Sequence, residues 1–134
     1  MADKSLNQQP GYNQSINIVP SAAYTATHTS IVTGNLCGSG LRVKWDVTAA
    51  SATPSVVLTV LGYNAAENTY TILTSAAVTA VNAATAVNVY KIFPGALAAA
   101  NLIVNDFLPQ KFALVFTHAD ADSITYSVDI DILN

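Results

Sequence analysis

The stretch Ile124-Thr125-Tyr126-Ser127-Val128-Asp129-Ile130-Asp131-Ile132 decides the fold class of this chain. Large apolar residues occupy 124, 126, 128, 130 and 132, and small or acidic residues fill the positions between them. A strand turns successive side chains to opposite faces, so this segment has one apolar face and one wet face. That is the pattern of a half-buried antiparallel strand, since parallel strands covered on both faces are apolar throughout.

The same period recurs on either side. Leu41, Val43, Trp45 and Val47 alternate with Arg42, Lys44, Asp46 and Thr48, and Phe112, Leu114 and Phe116 alternate with Ala113, Val115 and Thr117. Weaker strands rich in Val, Ile, Thr and Tyr are expected at Ser15 to Val19, Ala22 to Thr33, Ser55 to Tyr63, Asn68 to Leu73, Val78 to Val81 and Ala86 to Phe93. Turn signals separate them at Gly34-Asn35, Gly38-Ser39-Gly40, Thr53-Pro54, Asn64 to Asn68, Asn82 and Pro94-Gly95. The alanine-rich run Gly95 to Asn101 predicts a single helical turn or a long crossover loop, bracketed by Pro94 and Pro109. No apolar stripe at helical spacing persists beyond two turns, which excludes a helix-rich fold. The expectation is an all-β protein, an antiparallel β-sandwich of jelly-roll-like form with about eight strands.

Residues 1–20 read differently. The sequence MADKSLNQQPGYNQ is polar and aperiodic, with Pro10 and Gly11 in it. It predicts an extended N-terminal arm ahead of a sandwich body over residues 21–134. Such an arm is either a disordered terminus or a strap that orders on a partner's surface, with Tyr12, Asn13, Ile16 and Ile18 as its contact residues. Tyr63 and Tyr70, around the turn at 64–68, are expected at an exposed tip, because tyrosine suits half-wet interfaces.

Composition narrows the function. Of the 134 residues 51% are hydrophobic and only 10% charged, against roughly 25% charged in an ordinary soluble domain. A surface of Thr, Ser and Asn is poorly defended against association, so self-association or a bound partner is expected. The net charge is −3, and of the five basic residues only Arg42 and Lys44 sit close together in sequence. Direct nucleic-acid binding needs a clustered basic footprint, which this distribution does not offer. A lone cysteine, Cys37, forms no intrachain disulfide. The first residues carry no apolar targeting segment, and no stretch reaches membrane-spanning length, so a cytosolic origin and no membrane partner are expected.

Candidate chemistry is thin. There are two histidines, His28 and His118, and no nucleophile elbow or reactive-cysteine context accompanies them. His118, Asp120 and Asp122 alternate in THADADSITYSV, so an extended backbone projects all three to one side. They are the weak candidates for a metal site, but a hairpin loop whose aspartates bond nearby backbone explains the same pattern. Asp129 and Asp131 lie on the wet face of the last strand, where carboxylates discourage unwanted strand pairing. No catalytic residue and no cofactor is expected.

The run SVVLTVLGYNAAENTYTILTSAAVTAV, followed by FPGALAAANLIVNDFLPQKFALVFTHADADSITYSVDIDIL, resembles small tailed-bacteriophage virion structural proteins. The specific part is HADADSITYSV; the likeness spans roughly residues 41–132. It is most like a capsid decoration, or cement, protein. That resemblance implies a non-enzymatic homotrimer that binds the major capsid protein on the outer surface of an icosahedral head and stabilises it. The chain would then reside in the virion after synthesis in the host cytoplasm. A tail module, or a receptor- or carbohydrate-binding one, is the alternative.

Overall fold

The computed structural model describes residues 3–79 and 87–134. Among these, every regular element is a strand and there is no helix. The order is β1 (Lys4–Ser5), β2 (Gln14–Tyr24), β3 (His28–Thr33), β4 (Gly40–Ala50), β5 (Ser55–Tyr63), β6 (Thr69–Thr74), β7 (Val78–Thr79), β8 (Val87–Ile92), β9 (Ile103–Val104), β10 (Phe112–His118) and β11 (Ile124–Leu133). The far end of the strand expected at 78–81, the turn at Asn82 and the start of the strand expected at 86–93 lie outside the described residues.

The strands form two sheets. The first runs β1-β3-β10-β5-β6, with β7 following β6 along the same side of β5; the second runs β2-β11-β4-β8-β9. Both sheets are mixed. The long pairings are antiparallel, as expected, but β1 lies parallel to β3 and β9 parallel to β8. The sheets face one another across a shared core: the ring of Trp45 on β4 meets Phe116 on β10 edge-on at 5.1 Å, and Phe116 lies 5.5 Å from Tyr126 on β11. The apolar positions of the three strongly alternating segments, on β4, β10 and β11, are all buried in this core. At roughly 25 cal/mol per Å² of apolar area, these interdigitated side chains are the main source of stability.

Three expectations are corrected. The polar arm over residues 1–20 is not a separate element, because β2 begins at Gln14 and continues through Tyr24 as an edge strand of the second sheet. Ile18 is only 2% exposed, and Ile16 packs against the core from partial burial, so neither is a free arm contact. The strand expected from Ala22 to Thr33 is broken at Thr25–Thr27, where the chain leaves the second sheet for the first. Of the two alternatives for Gly95 to Asn101 the structure has the loop, with turns and a bridge between Ala99 and Ile103 and no helical turn. Finally, β11 is not an edge: it lies between β2 and β4, and Asp131 is buried and ion-paired there.

Bulges explain why β2 escapes a period-two reading. Its register against β11 shifts twice, between Tyr126 and Val128 and again between Val128 and Asp129. An extra residue on one strand lets two consecutive side chains face the same way, and Ile18 and Val19 are both buried. Pro20, which has no N–H to give a ladder, sits in this irregular stretch of an edge strand, where proline is tolerated. Ahead of β2 the chain is stitched to its own body. Leu6 enters the core, and Oε1 of the Gln8 side chain accepts from the backbone amides of Leu36 (2.6 Å) and Cys37 (2.9 Å).

If β2 is a core strand, Ile18→Ala costs about 2–4 kcal/mol as a buried truncation, whereas Tyr12→Ala stays within about 0.5 kcal/mol. Urea unfolding of the two variants measures both; equal and negligible effects would restore a free arm.

Candidate functional site

Three surfaces carry polar chemistry or exposed apolar residues. The first is a cluster at the end of the sandwich where β3, β10 and β11 converge. Tyr126, an inward residue of β11, directs its hydroxyl between two imidazoles: Nε2 of His28 at 2.6 Å and Nε2 of His118 at 3.0 Å. Tyr24 closes the group, its ring 4.9 Å from that of His28 and 4.7 Å from that of Tyr126. The cross-strand pairing of Phe116 with His28 brings β3 and β10 into this register.

The tautomers follow from one orphan atom. Nδ1 of His28 is buried without a hydrogen-bond partner. A buried N–H left unpaired costs more than a lone pair that already shares a partly satisfied ring, so the His28 proton sits on Nε2 and is donated to Tyr126. The tyrosine hydroxyl then donates to Nε2 of His118. Burial pushes the His28 imidazole down to about 4, and the neighbouring His118 adds to the depression. His118 is lowered by burial as well, with Asp120 opposing. The Tyr126 hydroxyl is raised, chiefly by burial, and stays protonated. A neutral trio joined through one shared hydroxyl, with Nδ1 of His28 left without a partner, ties β3, β10 and β11 together at this end of the fold.

The weak metal candidates separate. His118 turns its ring to Tyr126, Asp120 accepts from the amide of Asp122 at 3.0 Å, and Asp122 accepts from the amide of Thr53 at 3.1 Å. Asp120 therefore braces its own loop, and Asp122 ties that loop to the one preceding β5. Among the described residues no three His, Cys, Asp or Glu side chains form a metal-holding group.

The second surface is the outer face of the second sheet. The pairing of β4 with β8 sets Arg42 opposite Lys91, and the pairing with β11 sets Arg42 opposite Asp131 and Lys44 opposite Asp129. Three of the five basic residues thus share one face, which their spacing along the chain conceals. Asp131 is held from both sides: Ser15 donates to Oδ1 at 2.5 Å, and Nε and Nη2 of Arg42 reach Oδ2 at 2.8 and 2.6 Å. Burial alone would raise this carboxyl, but the Ser15 hydroxyl, Arg42 and Lys44 hold it below the usual range.

The third surface is apolar and borders the second, since Val87 and Val89 lie opposite Asp46 and Lys44 on the same outer face. Among the described residues the exposed large hydrophobics are Tyr12, Leu36, Tyr70, Val87, Val89, Leu97, Leu102 and Phe107, and five of these eight fall between 87 and 107. β8 and the segment that returns beside it carry them, joined where the Lys91 amide donates to the Leu102 carbonyl and the Gly95 amide to Asn105.

The tyrosines expected to make contacts divide. Tyr12 is the most exposed of them, and its carbonyl accepts from the Asn134 side chain, while Asn13 accepts from the Asn134 amide at 3.0 Å. Tyr70 is exposed but lies over Gly62, its partner across β5 and β6, a position where a side chain would collide with the ring. Tyr63 is half-buried beneath Lys111, whose ammonium stands 4.5 Å from the ring centroid and pairs with Glu67 at 2.6 Å. At this turn Tyr70 is exposed and Tyr63 half-buried, and both already have intramolecular partners.

No family model, curated protein or solved structure matches the chain.

The trio makes stability depend on acid. A base whose folded pKa is depressed takes its proton first in the unfolded chain, so stability is full above pH 6.5 and falls as pH drops toward 4. After discounting for partial solvent exposure, the loss is on the order of 1–2 kcal/mol. Denaturant midpoints across this range should show it, and His28→Gln should flatten it. Tyr126→Phe removes the shared hydroxyl and costs about 1–2 kcal/mol at neutral pH, read by the same unfolding.

Proposed function

We propose that this chain is a non-enzymatic capsid decoration protein of a tailed phage, bound to the major capsid protein on the outside of an icosahedral head. The observation that carries the reading is the concentration of exposed apolar side chains along β8 and the returning segment, in a chain where only 10% of residues are charged. Single exposed apolar residues need no explanation, but five of the eight fall on β8 and the segment paired with it, and apolar surface gathered in this way marks an interaction site. The likeness of HADADSITYSV and its neighbours to phage virion proteins supports the same reading, and an all-β body of two facing sheets is compatible with it.

In this reading the body does the binding. The chain ahead of β2 is tied down by Leu6 and Gln8, so Tyr12 and Asn13 are its remaining contact residues. Val87, Val89, Leu97, Leu102 and Phe107 form the larger contact, and Tyr70 a smaller one. Stabilisation of the head is linkage: a ligand of the assembled shell that ignores dissociated subunits shifts assembly by mass action. A homotrimer multiplies weak contacts where all three engage together.

Cosedimentation with expanded phage heads that lack the protein tests this. The wild-type chain should pellet with the heads and raise the temperature at which they open. A Leu97→Asp, Phe107→Asp double variant should fold, since both positions are exposed, yet remain in the supernatant. Wild-type protein that stays unbound, or a double variant that binds equally well, would sink the proposal.

A further inference from the structure

The outer face of the second sheet ends in a hollow of about 470 Å³, lined by Ser39, Arg42, Lys91, Phe93, Pro94 and Leu133. We infer that this hollow is a binding site for a carboxylate carried on an apolar body. It lies where β4 begins and where β8 and β11 end. Gly40 sits among these strand ends, and a Cβ there would stand 2.9 Å from both the Ile92 carbonyl oxygen and Cβ of Phe93. A bare backbone at this position lets Phe93 and Leu133 converge into walls.

The charges carry the inference. Arg42 and Lys91 face each other directly across β4 and β8, and like charges in that relation destabilise a sheet. The acids nearby do not relieve them both. Asp131 spends one oxygen on Ser15 and the other on Arg42, and Asp129 accepts from Asn17 at 2.8 Å. Among the described residues the Lys91 ammonium has no ion-pair partner. Arg42 bonds Asp131 through Nε and Nη2, which leaves the Nη1 end of its planar fork uncommitted. A carboxylate between Nη1 and the Lys91 ammonium meets two cations with charge-assisted hydrogen bonds and relieves their repulsion. Phe93, Pro94 and Leu133 then cover an aromatic or aliphatic body. The volume falls within the roughly 300–1,000 Å³ of small-ligand sites, and apolar walls with a few convergent polar groups are their usual make-up.

The site is independent of the head-binding proposal. The ligand chemistry has two sources, a free organic acid or an acidic side chain on another protein chain. Amide-resolved NMR with benzoate, and with benzamide as its neutral isostere, tests the site. Benzoate should shift Ser39, Lys91, Phe93 and Leu133, benzamide should not, and Lys91→Gln should weaken benzoate binding about tenfold while keeping the native spectrum. Equal shifts with benzamide, no shifts at these residues, or undiminished binding by Lys91→Gln would each overturn the assignment. Sedimentation with and without benzoate then separates the sources once the site is established. Dissociation of a self-associated form assigns the carboxylate to a neighbouring chain; an unchanged size assigns it to a free acid.

Discussion

The burial of the inward face of β11 is the constraint on which the rest of this structure depends. Five large residues at alternate positions are withdrawn from water on one strand, and covering them requires the opposing sheet, chiefly Phe116 and its neighbours. Because β11 is hydrogen-bonded on both sides, its register fixes β2 and β4 at once, and through β4 it fixes β8. A one-residue slip would turn that face outward, so the register is strongly specified. The polar features inherit this order. The Tyr126 hydroxyl reaches two imidazoles because its ring is clamped between the sheets, and Asp131 meets Arg42 because the same strand presents the next face outward.

The legible part of the fold is the part written in one strand at a time. Trp45, Phe112, Phe116 and Tyr126 announce their burial through period-two alternation alone, and their strands need no knowledge of neighbours. β2 is the opposite case. Ser15 to Ile18 alternate, but the bulges and Pro20 end the alternation from Val19 onward. The preceding residues are polar, so its first half merges with an apparent arm although Ile18 and Val19 belong to the core. Asp131 is misread for a related reason: whether β11 is central or an edge depends on where β2 pairs, and the short strand expected at Ser15 to Val19 gives no sign of its neighbour.

The polar sites were less legible because they are products of pairing. His28 and His118 are 90 residues apart in the chain, and only the alignment of β3 with β10 brings both to Tyr126. Arg42 and Lys91 likewise look scattered until β4 and β8 are laid side by side. The one signal available was outward parity, which marks both as exposed without saying that they meet. The aspartates of THADADSITYSV were legible as loop-bracing residues, since their bonds are mostly local.

The tether between Asn134 and the Tyr12–Asn13 segment has a mechanical side. It sets Gln14 opposite Ile132, so the outermost antiparallel pair of the second sheet starts and finishes at the same end of the molecule. Tension applied between these two points loads the ladder bonds in sequence and unzips β2 from β11 at low force. Tension entering through β8 and leaving through β2 instead loads the sheet across its width, where all the ladder bonds of each pair resist together. The direction of pull, more than the number of bonds, therefore sets how firmly this protein holds its shape under strain.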